Sequence, residues 1–126
     1  MVIFVYDSDS PHSHAFFRAV RSGCIPVVSS DFLPIFSPIL KSTLNMEDYA
    51  IILNEQDLVR DTQNTLLKLQ DLDEDIIKSK IEHLKFVQRV WFHDHPKTLF
   101  VQAFLKEALH ASEVDNAMNP YPVKKL

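Results

Sequence analysis

The sequence predicts an α/β fold built on a parallel sheet and ending in two long helices. Three observations predict it. Short runs at residues 1–6, 25–29 and 49–53 are apolar almost throughout, as strands buried on both faces are. Segments of helical character separate the first two runs and follow the third. The last third of the chain repeats apolar residues at helical spacing over two stretches. At 126 residues, 46% hydrophobic and 24% charged, the chain has the size and balance of a single globular domain.

Met1-Val2-Ile3-Phe4-Val5-Tyr6 is the first strand. Asp7-Ser8-Asp9-Ser10-Pro11 is a turn of residues that bond their own backbone. A helix follows over 12–22, with Ser10 as cap, Pro11 in the first turn and Phe16, Ala19 and Val20 on one stripe. Gly23 stops it, because glycine accepts the left-handed conformation that ends many helices. Residues 25–29 form the second strand. Residues 31–38 are loop, broken by Pro34 and Pro38, with a short helix at 37–41. Residues 49–53 form the third strand. One helix spans 56–70 on Leu66, Leu67 and Leu69.

The clearest helix covers 73–91, with Ile77, Ile81, Leu84 and Trp91 on a stripe flanked by Val87 and Val90. Asp71 and Glu74 have the spacing of a capping box. Pro96 starts the last helix, which carries Phe100, Ala103, Phe104 and Ala108 on one face. The packed domain then covers residues 1–112, and 113–126 is a polar tail. Three short strands make a small sheet, so an open edge is expected.

Composition excludes several functions. The single glycine, Gly23, rules out Gly-rich dinucleotide and phosphate loops, which need at least two. A net charge of −4 gives no basic footprint for nucleic acid. The lone Cys24 rules out an intrachain disulfide and reads as a small buried hydrophobe. No stretch reaches the ~18 apolar residues of a membrane span. The first apolar run is too short for the core of a signal peptide.

In parallel α/β folds ligands sit beyond the carboxyl ends of the strands, where helix N-termini offer free amides to anions. Ser10, His12, Ser13 and His14 occupy such a place and could bond a diphosphate. The plainer reading makes Ser10 a helix cap and the histidines exposed polar residues. Asp7 and Asp9 echo the acidic pair of receiver domains. The third strand, however, ends at Asn54 instead of a phosphoacceptor aspartate, and that reading is rejected. His12-Ser13-His14 and His93-Asp94-His95 are two His-x-His pairs. Neither has a third ligand in view, so no metal site is assigned.

The stretch Phe16-Phe17-Arg18-Ala19-Val20-Arg21-Ser22-Gly23-Cys24-Ile25-Pro26-Val27-Val28-Ser29-Ser30-Asp31 resembles the C-terminal half of the exostosin-like glycosyltransferase family. That family shows a serine, an aromatic or leucine pair, an Ala-rich helix, Gly-Cys-Ile-Pro-Val and a Ser-Asp. The resemblance continues through Leu33-Pro34, through Tyr49-Ala50-Ile51-Ile52-Leu53 and through Glu55-Gln56-Asp57, and covers most of residues 1 to about 110.

The resemblance implies a Rossmann-like parallel sheet, the C-terminal, donor-binding half of a GT-B architecture. It implies that a sugar passes from a nucleotide sugar to a glycan acceptor held by an N-terminal domain. The nucleotide sugar is a substrate, and no cofactor is implied. Ser13 matches the family's serine at the helix start and Asp31 its Ser-Asp. With Ser10, His12, His14 and Ser30 they make the expected donor site, while no catalytic residue is assigned. The family often has an arginine where this chain has Ala15, an acidic residue where it has Arg18, and another where it has Phe36. The resemblance also implies the Golgi lumen; no targeting or membrane segment is seen in the chain, which leaves the cytoplasm open. The competing expectation is a noncatalytic α/β module that keeps the fold, has lost donor binding and engages a protein partner.

Overall fold

A computed structural model describes residues 2–6, 14–29 and 40–118, with side chains for 14–29 and 40–112. The chain is mixed α/β and mostly helical. Strands β1 (Val2–Tyr6), β2 (Ile25–Ser29) and β3 (Ile51–Leu53) form a parallel sheet in the order β1-β2-β3. Helix α1 (His14–Arg21) connects the first two strands, and the four-residue α2 (Met46–Tyr49) precedes β3. Then come α3 (Glu55–Arg60), α4 (Thr62–Gln70), α5 (Glu74–Trp91) and α6 (Phe100–Met118).

The end of α1 follows from its sequence. Gly23 has φ +71, its N–H donates to the Val20 carbonyl at 3.0 Å, and the Cys24 N–H donates to Ala19 at 2.9 Å. This is the paired hydrogen-bond pattern of a helix closed by a left-handed glycine. Gln88 on α5 adds a clasp, its Nε2 donating to the Val20 and Arg21 carbonyls at 2.8 and 3.2 Å. Lys80 does the same for α2, donating from Nζ to Glu47 O at 2.6 Å and Ala50 O at 2.9 Å. Burial pulls the Lys80 ammonium below its ordinary value, against the raising influence of Asp48 and Glu47. So α5 locks two helix ends while packing its apolar stripe.

That stripe is the one the periodicity predicts. Leu84, Val87, Val90 and Trp91 are buried, and Ile77 and Ile81 pack against the cluster. At its centre Phe16, Tyr49 and Trp91 meet ring to ring, with centroids 5.8 to 6.3 Å apart. Leu40 is also buried there despite φ 74, a strained conformation for a side chain of this kind.

Several expectations need correction. The helix over 56–70 is two helices, because Asp61 ends α3 and caps α4, accepting from Asn64 N–H at 3.2 Å. In α4 the buried residue is Thr65, whereas Leu66 and Leu67 are exposed. The long helix is capped by Asp73, which accepts from Asp75 N–H, and not by an Asp71–Glu74 box. The last helix begins at Phe100, capped by Thr98 Oγ1, and Pro96 lies in the preceding turn. Only Ala103 of its expected face is fully buried, with Phe104 and Ala108 exposed. That helix also runs to Met118, six residues past the expected domain end at 112.

Tyr49 and Ala50 stand before β3 instead of inside it, since Asn45 starts a helical turn ahead of the apolar run. β2 is buried along its whole length, but β3 is only half covered, with Ile52 37% exposed. The apolar run of β3 therefore marks an edge strand and not a doubly covered one, and among the described strands it pairs with β2 alone. The expected loop at 31–38 and most of the expected helix at 37–41 lie outside the described residues; Lys41–Thr43 form a turn.

Candidate functional site

All three strands end together. Tyr6 is in register with Ser29, and Ser29 with Leu53, so the carboxyl ends form one edge. Each strand is followed in the sequence by polar residues: Asp7 after Tyr6, Ser30 after Ser29 and Asn54 after Leu53. After Tyr6 the next described element is α1, opening at His14. Its first turn carries no acidic residue, and its last turn carries Arg18 and Arg21, an arrangement that leaves the positive end of the helix unneutralised by its own side chains.

His14 is exposed at that helix start. Ser10, His12, Ser13, Ser30 and Asp31 lie outside the described residues. Their described neighbours are Tyr6, His14 and Ser29, the last of which is buried. None of the expected site residues follows the third strand. There Asn54 follows Leu53 directly and accepts from Asp57 N–H at 3.1 Å, opening α3, while Glu55 is half-buried beside it. The signal was a polar Asn-Glu step at the end of an apolar run, the same pattern that drew attention to the first strand.

The second His-x-His pair lies at the other end of α1. Arg21, in the last turn of α1, pairs with Asp94 and sits 5.0 Å above the Phe92 ring. The Arg21 guanidinium holds the Asp94 carboxyl below the usual aspartate range. His95 Nδ1 accepts from Lys97 N–H at 3.0 Å, and the His93 ring lies 6.4 Å from Phe100. An eight-residue helix is about 12 Å long, so His14 and the 93–95 pair do not share a site. Among the described residues no three His, Cys, Asp or Glu side chains cluster as metal ligands. A pocket of about 260 Å³ beside Arg21 is lined by Gln88, Phe92 and Asp94, and its one cation is already paired. Cys24 is buried, with its Sγ 3.8 Å from the Ser22 carbonyl, as a small packing residue would be.

Among the described residues no helix is long and apolar enough to cross a membrane. A scan of protein-family models, a search of curated proteins and a search of solved structures each return no match to this chain.

Proposed function

We propose that this chain is the donor-binding domain of a glycosyltransferase of the exostosin-like kind, the C-terminal half of a GT-B architecture with a Rossmann-like sheet. The resemblance of residues 16–31 supports the family. One structural observation carries the site: Tyr6 and Ser29 are in register at the ends of parallel strands, so positions 10–14 and 30–31 follow strand ends on one edge. That is where parallel α/β folds hold their ligands.

In this reading Ser10, His12, Ser13 and His14 hold the diphosphate of a nucleotide sugar at the start of α1, and Ser30 and Asp31 complete the donor site. During transfer the bond between the anomeric carbon and the diphosphate oxygen breaks. The acceptor hydroxyl oxygen forms the new bond to that carbon, and its proton leaves with the nucleoside diphosphate product. Negative charge gathers on the departing diphosphate, and oriented amides and hydroxyls stabilise it. An N-terminal domain holds the acceptor glycan, and the setting is the Golgi lumen. The 126 residues alone transfer no sugar. The reading is tested by titrating the labelled chain with UDP and GDP, and by repeating the titration with Ser13→Ala and His14→Ala combined.

A second reading, a noncatalytic module of the same fold, is favoured by the surface of α6. Val101, Phe104, Leu105 and Leu109 are 54 to 66% exposed along one helix, and the Phe100 and Phe104 rings stack at 6.0 Å. Apolar side chains gathered on one exposed helix suit a protein partner. The two readings part at the α1 start, since partner binding through α6 is indifferent to Ser13 and His14.

A further inference from the structure

The two sides of α6 are inverted for a surface helix, which ordinarily turns its apolar stripe to the core and its polar residues to water. The inward side is held by buried Ala103 and by polar groups. Glu107 Oε2 accepts from the Ser42 N–H and hydroxyl, and Lys106 Nζ donates to the Ser42 carbonyl. The outward side carries Val101, Phe104, Leu105, Ala108 and Leu109, all exposed. At 3.6 residues per turn these five fall within about 140° of arc, which leaves out Ala103 and Glu107. From Ala108 to Ser112 every residue is exposed, although helices draw most of their stability from tertiary contact. A groove of about 590 Å³ runs beside Leu105 and Leu109.

Three features select what covers this stripe. It holds no charged residue, since Lys106 and Glu107 are engaged with Ser42, so an acidic or basic peptide finds no counter-charge in it. Lys106 is the single Lys or Arg in residues 100–112, whereas helices that lie on a membrane surface are rich in both. The matching partner is another uncharged apolar helix. The spacing is also self-complementary, because Val101 and Leu109 lie four residues to either side of Leu105. Antiparallel copies with a two-fold axis at Leu105 set Leu105 on Leu105 and each Val101 on the other copy's Leu109, the isologous contact of a symmetric dimer.

We propose that the outward stripe of α6 is an interface between two copies of this chain, paired antiparallel about Leu105. From 101 to 112 the helix is about 18 Å long, and covering its outer half buries on the order of 350 Å² on each chain. The total of roughly 700 Å² is below the ~1,200 Å² of stable complexes, so the dimer is weak and exchanges rapidly. The proposal rests on the same stripe as the noncatalytic reading and names its partner; donor binding at the start of α1 is not involved.

Sedimentation velocity of the purified chain, from micromolar to millimolar concentration, tests it. The mass is expected to rise from 14.6 kDa toward twice that value. Leu105→Glu should hold the chain at the monomer mass with an unchanged urea midpoint, because Leu105 is exposed. Oxidation gives the register. Leu105→Cys should form a disulfide dimer, while Leu109→Cys alone should not, since its two copies lie about 12 Å apart along the helices and a disulfide needs Cα atoms within about 7 Å. A chain that stays monomeric throughout, association that survives Leu105→Glu, or equal cross-linking at 105 and 109 would overturn the proposal. The noncatalytic reading is judged separately, by whether UDP or GDP binds.

Discussion

Tyr6 and Ser29 are register partners, each the last residue of its strand. Leu53 continues the row on the far side of Ser29. With strands about 4.8 Å apart, the three ends span roughly 10 Å, which is the scale of a diphosphate with its attached sugar. The parallel arrangement matters because it sends every following segment off the same edge. Among the described residues, α1, opening at His14, follows β1, and α3, opening at Glu55, follows β3.

Gly23 is required for its conformation and not for its small size. An added Cβ would meet Gln88 Nε2 at 3.7 Å, an ordinary contact, but φ is +71. Gly23→Ala is expected to lower stability by about 1–2 kcal/mol, read as a reduced urea midpoint with an unchanged slope. A variant as stable as the parent would mean that α1 closes in some other way.

Phe16 is fully buried at the meeting point of α1, α2 and α5. Phe16→Ala is expected to cost about 3–5 kcal/mol, a large part of the 5–15 kcal/mol typical of a domain. Thermal unfolding by circular dichroism should show a strongly lowered or lost transition. Exposed Phe104 is the internal control, and Phe104→Ser should change stability by less than about 0.5 kcal/mol.

Glu107 fastens α6 to the turn at Ser42. Its Oε2 accepts from the Ser42 hydroxyl and from the Ser42 N–H at 3.0 Å, while Lys106 donates to the Ser42 carbonyl at 2.9 Å. The Ser42 hydroxyl, then the Ser42 N–H, holds the Glu107 carboxyl below its ordinary range. The folded chain therefore binds that proton more weakly than the unfolded chain. The stabilisation is complete above the unfolded glutamate value of about 4.3 and is lost as pH falls through the lower folded value. Because the group is largely solvated, its size is about 0.5–1 kcal/mol. Glu107→Gln should be less stable than the parent at pH 7, and the gap should close in acid; an equal gap at both pH values contradicts the pairing.

How much of this was legible depended on whether one element decided it alone. β2 is apolar and central, so its run and its structure agree residue for residue. The Gly23 stop and the 73–91 stripe were local signals of the same kind. Tyr49 was misplaced because an apolar, β-prone residue was recruited into a helical turn by the Asn45 cap and the need to fill the Phe16–Trp91 cluster. Asp61 could be read as any polar helix residue, and only its backbone shows that it ends one helix and caps the next. The exposed leucines of α4 and α6 have helical spacing without a partner, which periodicity does not reveal. Of the candidate donor residues, the sequence supplied the positions, and the register of Tyr6 with Ser29 supplied the reason they follow one edge.

The edge beyond Tyr6 and Ser29 is proposed to bind a nucleotide diphosphate. A heteronuclear NMR titration of the chain with UDP and with GDP tests it most directly. Dispersed peaks are expected, with shifts that concentrate at residues 10–14 and 30–31 and vanish with Ser13→Ala and His14→Ala combined. Dispersed peaks that neither nucleotide moves would contradict it and leave the α6 surface as the functional face.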